Sequence, residues 1–407
     1  MKTLIELYVN EQFDDLLAAM TLNPKRTVFL TTGCVPEKTA RESAARFIRD
    51  RNVARFGEKA IAEVEFINIG SRSADKLFEK LDEIFNKYPD AAIEMTGGST
   101  AALIAAQRYC EEKRVKSFFF DSRKGRFRSI YGMEGELRDL KLPAIDVDTL
   151  ILMGGGKVIG TKHSTSHLDE NMDCVRSMLD IYSKYLGEWN SLVEYLQFAC
   201  KHYYDSTTQL FSAPSALINN SNLFIANKKL LNLLSEAGAI NELAMDAENI
   251  VFRFANGFIR EILTTVGMCL ELFIYVAAVD SGEFDSARMS VELDWDGAFR
   301  GGAGDTTNEI DVIMTRGVES RFVSCKTARP DTRDLYEIGY LADKFGGRNA
   351  VAVLATAIDL SGESWSNYLR ARDMGVIVIE RADIMKGMEH TAKLLVSPEW
   401  LEEKPKK

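Results

Sequence analysis

The chain has 407 residues, enough for two or three domains at the usual ~100–200 residues each. Hydrophobic residues make up 46% and charged residues 27%, an ordinary globular composition that excludes a disordered or collagen-like chain. With 50 basic against 60 acidic residues the net charge is −10, so bulk charge does not bind nucleic acid; such binding needs a local basic patch or cations held on carboxylates.

Six cysteines (Cys34, Cys110, Cys174, Cys200, Cys269 and Cys325) show neither a C-x-x-C pair nor zinc-ligand spacing, which predicts reduced thiols. The opening MKTLIELYVNEQF carries acids too early for a signal peptide, and the longest apolar stretch, Val266 to Val279, is short for a membrane span and contains Glu271. A soluble, cytoplasmic protein with no membrane partner is the expectation.

Residues 1–160 alternate strand and helix patterns. A strand over Leu4 to Val9 precedes a helix over Phe13 to Met20, and Thr27 to Thr32 is a strand run ending at Gly33. A charged helix from about Pro36 to Phe56 follows, with the proline at a first-turn position. Further strands cover Val64 to Ile69, Ala91 to Met95 and Val115 to Phe120, separated by helices near 73–87 and 99–113. This alternation predicts an α/β, doubly wound parallel sheet.

Ligands of such sheets sit beyond the carboxyl ends of the strands, where the strand order reverses. Two strand-to-helix turns have the chemistry for it: Thr31-Thr32-Gly33-Cys34 and Thr96-Gly97-Gly98-Ser99-Thr100. Glycines admit close backbone approach, hydroxyls donate hydrogen bonds, and a helix N-terminus favours anionic groups. The second turn suits a phosphate or nucleotide, although Ser99 or Thr100 serves equally as a helix cap. From Arg108 to Arg128 eight basic residues face three acidic ones, a solvated face or a contact for an anionic ligand or a dimer partner. Gly154-Gly155-Gly156 before Lys157 reads as a plain turn, with a ligand-facing loop as the alternative.

From about Ser166 to Ala239 the periodicity is helical, interrupted by Pro214 and Asn219-Asn220-Ser221-Asn222, and a helical connector over 161–245 is expected. His163, His167 and His202 lack the spacing of metal ligands.

The strongest chemical signal lies further on. A long apolar helix, Gly257 to Val279, carries Glu261 and Glu271. Strand patterns follow at Met289 to Trp295, Asn308 to Thr315 and Arg321 to Lys326. Strand alternation puts Glu309 and Asp311 on one face, Ile310 and Val312 on the other, and pairs Ser324 with Lys326. A hairpin then brings Asp311 near Lys326. Strand-borne carboxylates hold Mg²⁺ or Mn²⁺, and a lysine beside them stabilises charge on a phosphoryl group being cleaved. Glu292 and Asp294 read as strand-edge charges, Arg300, Arg316 and Arg321 as candidate phosphate contacts, and Gly301 to Asp305 as a loop over the site. A helix near 333–346, a strand at Ala350 to Ala355, a helix from Trp365 to Met374 and a strand at Val376 to Ile379 complete a mixed α/β core.

The opening strand with Glu6, the strand ending Thr31-Thr32-Gly33 and the Thr96–Thr100 turn together resemble a CARF domain, the Rossmann-like sensor of type III CRISPR systems. The helix with Gly267-x-x-Leu270-Glu271, the Asn308–Val312 strand and Ser324-Cys325-Lys326 resemble the PD-(D/E)xK restriction-endonuclease fold. In this order they are similar to CARF-linked nucleases. The resemblance implies a CARF domain over 1–160, the connector over 161–245 and a nuclease domain over 246–400.

It further implies a homodimer that binds a cyclic oligoadenylate, the tetra-adenylate ring above all, and then cleaves DNA or RNA, single strands included. Asp311, Lys326, Glu271 and Ser324 take the catalytic positions, with Mn²⁺ or Mg²⁺ on Asp311, Glu271 and Glu309. Thr31, Thr32, Gly33, Cys34, Thr96, Gly97, Gly98, Ser99 and Thr100 are the ligand-binding set. Ser324 departs from the motif, which has an acid there. Two alternatives therefore stand beside the nuclease: a nuclease fold that only binds nucleic acid, and an unrelated enzyme using a linear nucleotide.

Overall fold

The structure, a computed structural model, describes residues 1–8, 12–31, 42, 44–50, 63–69, 74–163, 166–219, 222–297 and 305–397. Its first layer is a six-stranded sheet of β1 (Thr3–Tyr8), β2 (Arg26–Thr31), β3 (Glu63–Asn68), β4 (Ala92–Glu94), β5 (Ser117–Asp121) and β6 (Arg126–Tyr131) in the order β3-β2-β1-β4-β5-β6. The first five are parallel and β6 is antiparallel to β5. Strand alternation sorts the two faces. Ile5 and Leu7 pack under the helices Ala74–Lys87 and Thr100–Lys113, whereas Leu4 and Tyr8 face the helix Gln12–Leu22.

The strand order reverses between β1 and β4, so the turn Met95–Thr100 that leaves β4 lies at the switch point. The basic run is absorbed by β6, an edge strand whose Arg126 and Arg128 are solvated. Arg128 pairs with Asp121 at 3.3 Å and Lys116 with Glu136 at 2.5 Å. Most of the charged helix expected over Pro36 to Phe56 falls outside the described residues, of which 44–50 are helical.

The middle of the chain departs from an all-helical connector. Two helices, Leu168–Lys184 and Leu186–Tyr203, are followed by β8 (Tyr204–Asp205), β9 (Leu210–Pro214), the hairpin β10 (Ala216–Asn219) and β11 (Asn222–Ile225), the helix Lys228–Glu236, and β12 (Ile240–Met245) and β13 (Asn249–Phe254). Four of these strands form an antiparallel sheet ordered β12-β13-β9-β8. Phe211, Phe252 and Phe254 cluster on it, with Phe211 and Phe252 stacked at 4.5 Å between ring centres. That aromatic contact joins strands some forty residues apart in sequence, which helical periodicity does not register.

A second six-stranded sheet, ordered β18-β17-β16-β15-β14-β7, contains β7 (Lys157–Thr161), β14 (Ser286–Asp294), β15 (Thr307–Arg316), β16 (Glu319–Lys326), β17 (Ala350–Thr356) and β18 (Ile377–Ile379). β7 pairs antiparallel with β14, so the end of the segment expected to close the first domain belongs to this sheet. Gly154 and Gly156 lie so close to Phe345 that a Cβ on either would approach its atoms to 2.6 and 2.5 Å, which makes this stretch a packing turn. One face of the second sheet packs on the helix Met268–Ser281 and the middle region. The other face shares a core with the helices Val147–Met153 and Thr332–Gly346 and, across the interface between the sheets, with Leu4 and Phe13 of the first layer. Among the described residues no single helix is long and apolar enough to cross a membrane.

Candidate active site

The expected long helix is two, Gly257–Thr264 and Met268–Ser281, bent by 114° at Thr265-Val266-Gly267. Thr265 is extended and Gly267 has φ +96°, a conformation that suits glycine. The break separates the two acids. Glu261 pairs with Nδ1 of His163 at 2.9 Å, while Glu271 enters the first turn of the second helix and points at the sheet.

β15 and β16 form the expected hairpin, and their last backbone-paired step is Val312 with Val323. Beyond it the strands part. The Asp311 carboxylate crosses the gap and accepts from the Cys325 N–H at 2.5 Å. The opening is a small cleft of about 60 Å³ whose lining includes Glu309, Asp311, Ser324 and Lys326 from the strands and Asp334 and Glu337 from the helix Thr332–Gly346. Lys326 Nζ lies 3.2 Å from Asp334, and Lys162 Nζ donates to Glu309 at 2.9 Å.

The electrostatics are those of charges held out of water. Burial raises the Glu271 carboxyl to about 7, and the neighbouring Asp311 charge adds to the rise. Burial also raises Asp311, against the opposing pull of the Cys325 N–H and the Lys326 charge. Desolvation works to lower the Lys326 ammonium, but Asp334 and Asp311 outweigh it and leave the group raised, hence charged. Two like-charged, partly desolvated carboxylates beside an ammonium are costly in a fold, and a bound cation would relieve their repulsion. Glu271, Asp311 and Glu309 fit Mg²⁺ or Mn²⁺ in donor type. Among the described residues, however, no three His, Cys, Asp or Glu side chains converge as a preformed metal cage.

Simple alternation fails at Asp311. Ile310 packs in the core shared with the first layer and Val312 in the opposite core around the Glu271 helix. The same switch occurs next door on β14, where Ala287 and Met289 face the Glu271 helix while Val291 and Leu293 face away. Between them Ser290 is fully buried with φ +51°, and the ladder of β14 with β15 skips the step that would pair it with Asp311.

Other expectations also change. Arg321 is 4% exposed and donates to Leu395 and Val396 carbonyls, holding the helix Met388–Val396, and Arg316 pairs with Glu283. Along the strands Arg316 lies about 17 Å from Asp311 and Arg321, level with Met314, about 10 Å from it, and both are engaged elsewhere than in the cleft. Asp294 is buried, not a strand-edge charge. Arg300 and Gly301 to Gly304 lie outside the described residues.

Lys162, Ser290, Asp334 and Glu337 escaped the sequence reading. For Asp334 and Glu337 a signal existed, since they share a face of the helix with Ile338 and Leu341. Exposed rings flank the same helix: Tyr336, and Tyr340 stacked on Trp295 at 5.5 Å. Trp295 Nε1 donates to Asn308 Oδ1 at 2.6 Å, and the Asn308 amide donates to Glu337 at 3.0 Å, which ties the rings to the rim of the cleft.

At the first-layer turn, Thr31 is buried and Thr32, Gly33 and Cys34 lie outside the described residues. The Thr96 hydroxyl accepts from the Phe120 N–H at 2.7 Å and donates to Glu94, so it is used within the fold. Ser99 caps the helix, accepting from the Ala102 N–H at 3.3 Å. Gly98, at φ +101°, lies where a Cβ would approach Leu7 to 2.9 Å; Gly97 is buried and Thr100 is exposed.

Residues 260–396 match the family model of the Card1-like endonuclease domain. Protein VC1899 from Vibrio cholerae shares the fold over 98% of both chains, with 14% identity and a TM-score of 0.71. Can2 from Sulfobacillus thermosulfidooxidans, solved in complex with cyclic tetra-adenylate, shares it over 97% of this chain and 95% of that one, with 17% identity and a TM-score of 0.64. No curated protein sequence matches the chain. The comparisons thus agree with the expected resemblance in two respects: residues 260–396 match a Card1-like endonuclease model, and the mixed α/β fold is shared with Can2 over 97% of the chain.

Proposed function

We propose that this protein is a metal-dependent nuclease of type III CRISPR defence, switched on in the cytoplasm by cyclic tetra-adenylate bound across a homodimer. The observation that carries the nuclease reading is the buried pair Glu271 and Asp311 beside a charged Lys326, within the segment that matches an endonuclease family. Asp311, Glu271 and Glu309 are the residues that would hold Mn²⁺ or Mg²⁺. When bound, the cation polarises the phosphoryl group and makes water a better nucleophile. Lys326, fixed by Asp334, supplies positive charge to the phosphate during cleavage. Glu271, whose carboxyl is raised by burial in the metal-free protein, would give up its proton to take the cation.

The rings of Tyr336 and Tyr340 favour single strands. Both rings are exposed on the helix that lines the cleft. Unpaired bases can stack on such rings, whereas paired bases are sealed inside a helix. The activator site is the switch-point turn, where Gly97, Gly98 and Thr100 open the N-terminus of the helix Thr100–Lys113 to an anion, with Thr31 at the end of β2 two strands away. The fold shared with a cyclic tetra-adenylate complex supports this placement.

Ser324 in the cleft, where the motif has an acid, favours a second reading: a binding module with a weak or lost active site. The test is cleavage of fluorescent single-stranded DNA, single-stranded RNA and plasmid, with and without Mn²⁺ and cyclic tetra-adenylate. Cleavage that requires both supports the nuclease. Activator and nucleic-acid binding without cleavage under any condition supports the binding module.

A further inference from the structure

Ser290 is the one residue of the second sheet where a non-glycine side chain adopts a left-handed backbone, at φ +51° and with no exposure to water. Outside Gly, Asn and Asp such a conformation is uncommon and costs free energy, and a buried central strand gives no local reason to adopt it. Three consequences converge there. The β14–β15 ladder skips the Ser290–Asp311 step while keeping register on both sides, Met289 with Val312 and Val291 with Ile310. Both strands exchange faces across that step. The serine itself is held from two sides: Oγ donates to Glu271 Oε2 at 3.0 Å, and its carbonyl accepts from the Lys162 N–H at 3.0 Å.

We infer that Ser290 is a positioning residue for the nuclease site, whose left-handed backbone and hydroxyl aim Glu271 at Asp311 and whose carbonyl seats Lys162 just beyond β7. In a regular strand residue 290 would face away from the Glu271 helix, because Met289 before it already faces that helix. The left-handed step brings Oγ round to Glu271 instead. Freed of its ladder bond, the facing strand lets the Asp311 carboxylate reach the Cys325 N–H. One strained residue thus orders an acid from a helix, an acid from the neighbouring strand and the lysine that follows the edge strand.

This inference rests on the proposed nuclease function, and the experiment separates the two. Ser290→Gly keeps the left-handed backbone at no steric cost and removes only the hydroxyl. Ser290→Asn tolerates the same backbone and restores a donor. Each full-length variant is compared with wild type by thermal melting, by calorimetric titration of Mn²⁺ alone and by steady-state cleavage of a single-stranded oligonucleotide with activator and Mn²⁺ present. The expectation is that Ser290→Gly melts at or above the wild-type temperature, binds Mn²⁺ at least fivefold more weakly and loses at least tenfold in kcat with KM unchanged. Ser290→Asn recovers part of both losses.

If Ser290→Gly binds Mn²⁺ and turns over like wild type, the positioning role is overturned and the nuclease stands. If wild type itself neither takes up Mn²⁺ nor cleaves, the nuclease reading fails and the role of Ser290 falls with it.

Discussion

The turn at Thr96–Thr100 and the cleft at Asp311 are both rich in polar side chains, but the fold treats them in opposite ways. In the turn, the Thr96 hydroxyl bridges Glu94 and the Phe120 N–H, and Ser99 caps its own helix. These side chains satisfy the backbone around them, and what is left to a ligand is main-chain N–H and the shape set by Gly98. In the cleft Asp311 is raised by burial while Lys326 stays charged, and beside it burial raises the Glu271 carboxyl with the Asp311 charge adding to the rise. A fold without use for such a group would replace it with an apolar one. Polar chemistry whose cost the fold does not offset is therefore the sharper mark of a reactive site.

That contrast can be broken or sharpened by substitution. The largest effect is expected from Asp311→Asn and from Lys326→Ala, each lowering the cleavage rate on the order of 10²–10³-fold in initial-rate assays while the melting temperature stays within a few degrees. A variant that cuts normally would remove the cleft from the chemistry.

Gly98→Ala forces a side chain into a left-handed position against Leu7 and should cost about 2–4 kcal/mol in urea unfolding. Mn²⁺ uptake at the distant cleft should be unchanged.

Glu271→Gln tests the cost of the buried charge. The carboxyl rises from 4.5 to about 7 in the folded protein, so the unfolded chain ionises more readily and wild-type stability falls as pH rises between those values. In metal-free buffer the variant should lose that slope and exceed wild type by on the order of 3 kcal/mol at pH 8, with the gain vanishing toward pH 4.

Thr96→Val leaves the Phe120 N–H without its acceptor and should cost about 1–2 kcal/mol in the same unfolding assay. Its affinity for cyclic tetra-adenylate by calorimetry should move less than about threefold (roughly 0.6 kcal/mol), below the worth of a typical lost hydrogen bond. The smallest effect belongs to Arg316→Ala, whose partner is Glu283 away from the cleft; cleavage should change by less than about twofold.

The amino-acid sequence by itself determined the parts governed by local periodicity and turn chemistry. The parallel strands of the first layer, the glycine-rich turn that leaves β4, the β15–β16 hairpin and the shared face of Ser324 and Lys326 all follow from alternation and glycine placement. The break in the helix expected from Gly257 to Val279 was missed, although the β-branched pair and glycine at Thr265 to Gly267 are a local signal for it.

Tertiary structure alone decided the rest. β7 joins the second sheet through a partner more than a hundred residues away, and Arg321 is captured by the carbonyls of the last described helix. The exchange of faces at Ser290 and Asp311 contradicts the alternation on which the sequence reading relied. The physical reason is common to all three. Backbone pairing and burial are settled between segments remote in sequence, and a strained residue such as Ser290 persists only where the surrounding fold outweighs its local preference.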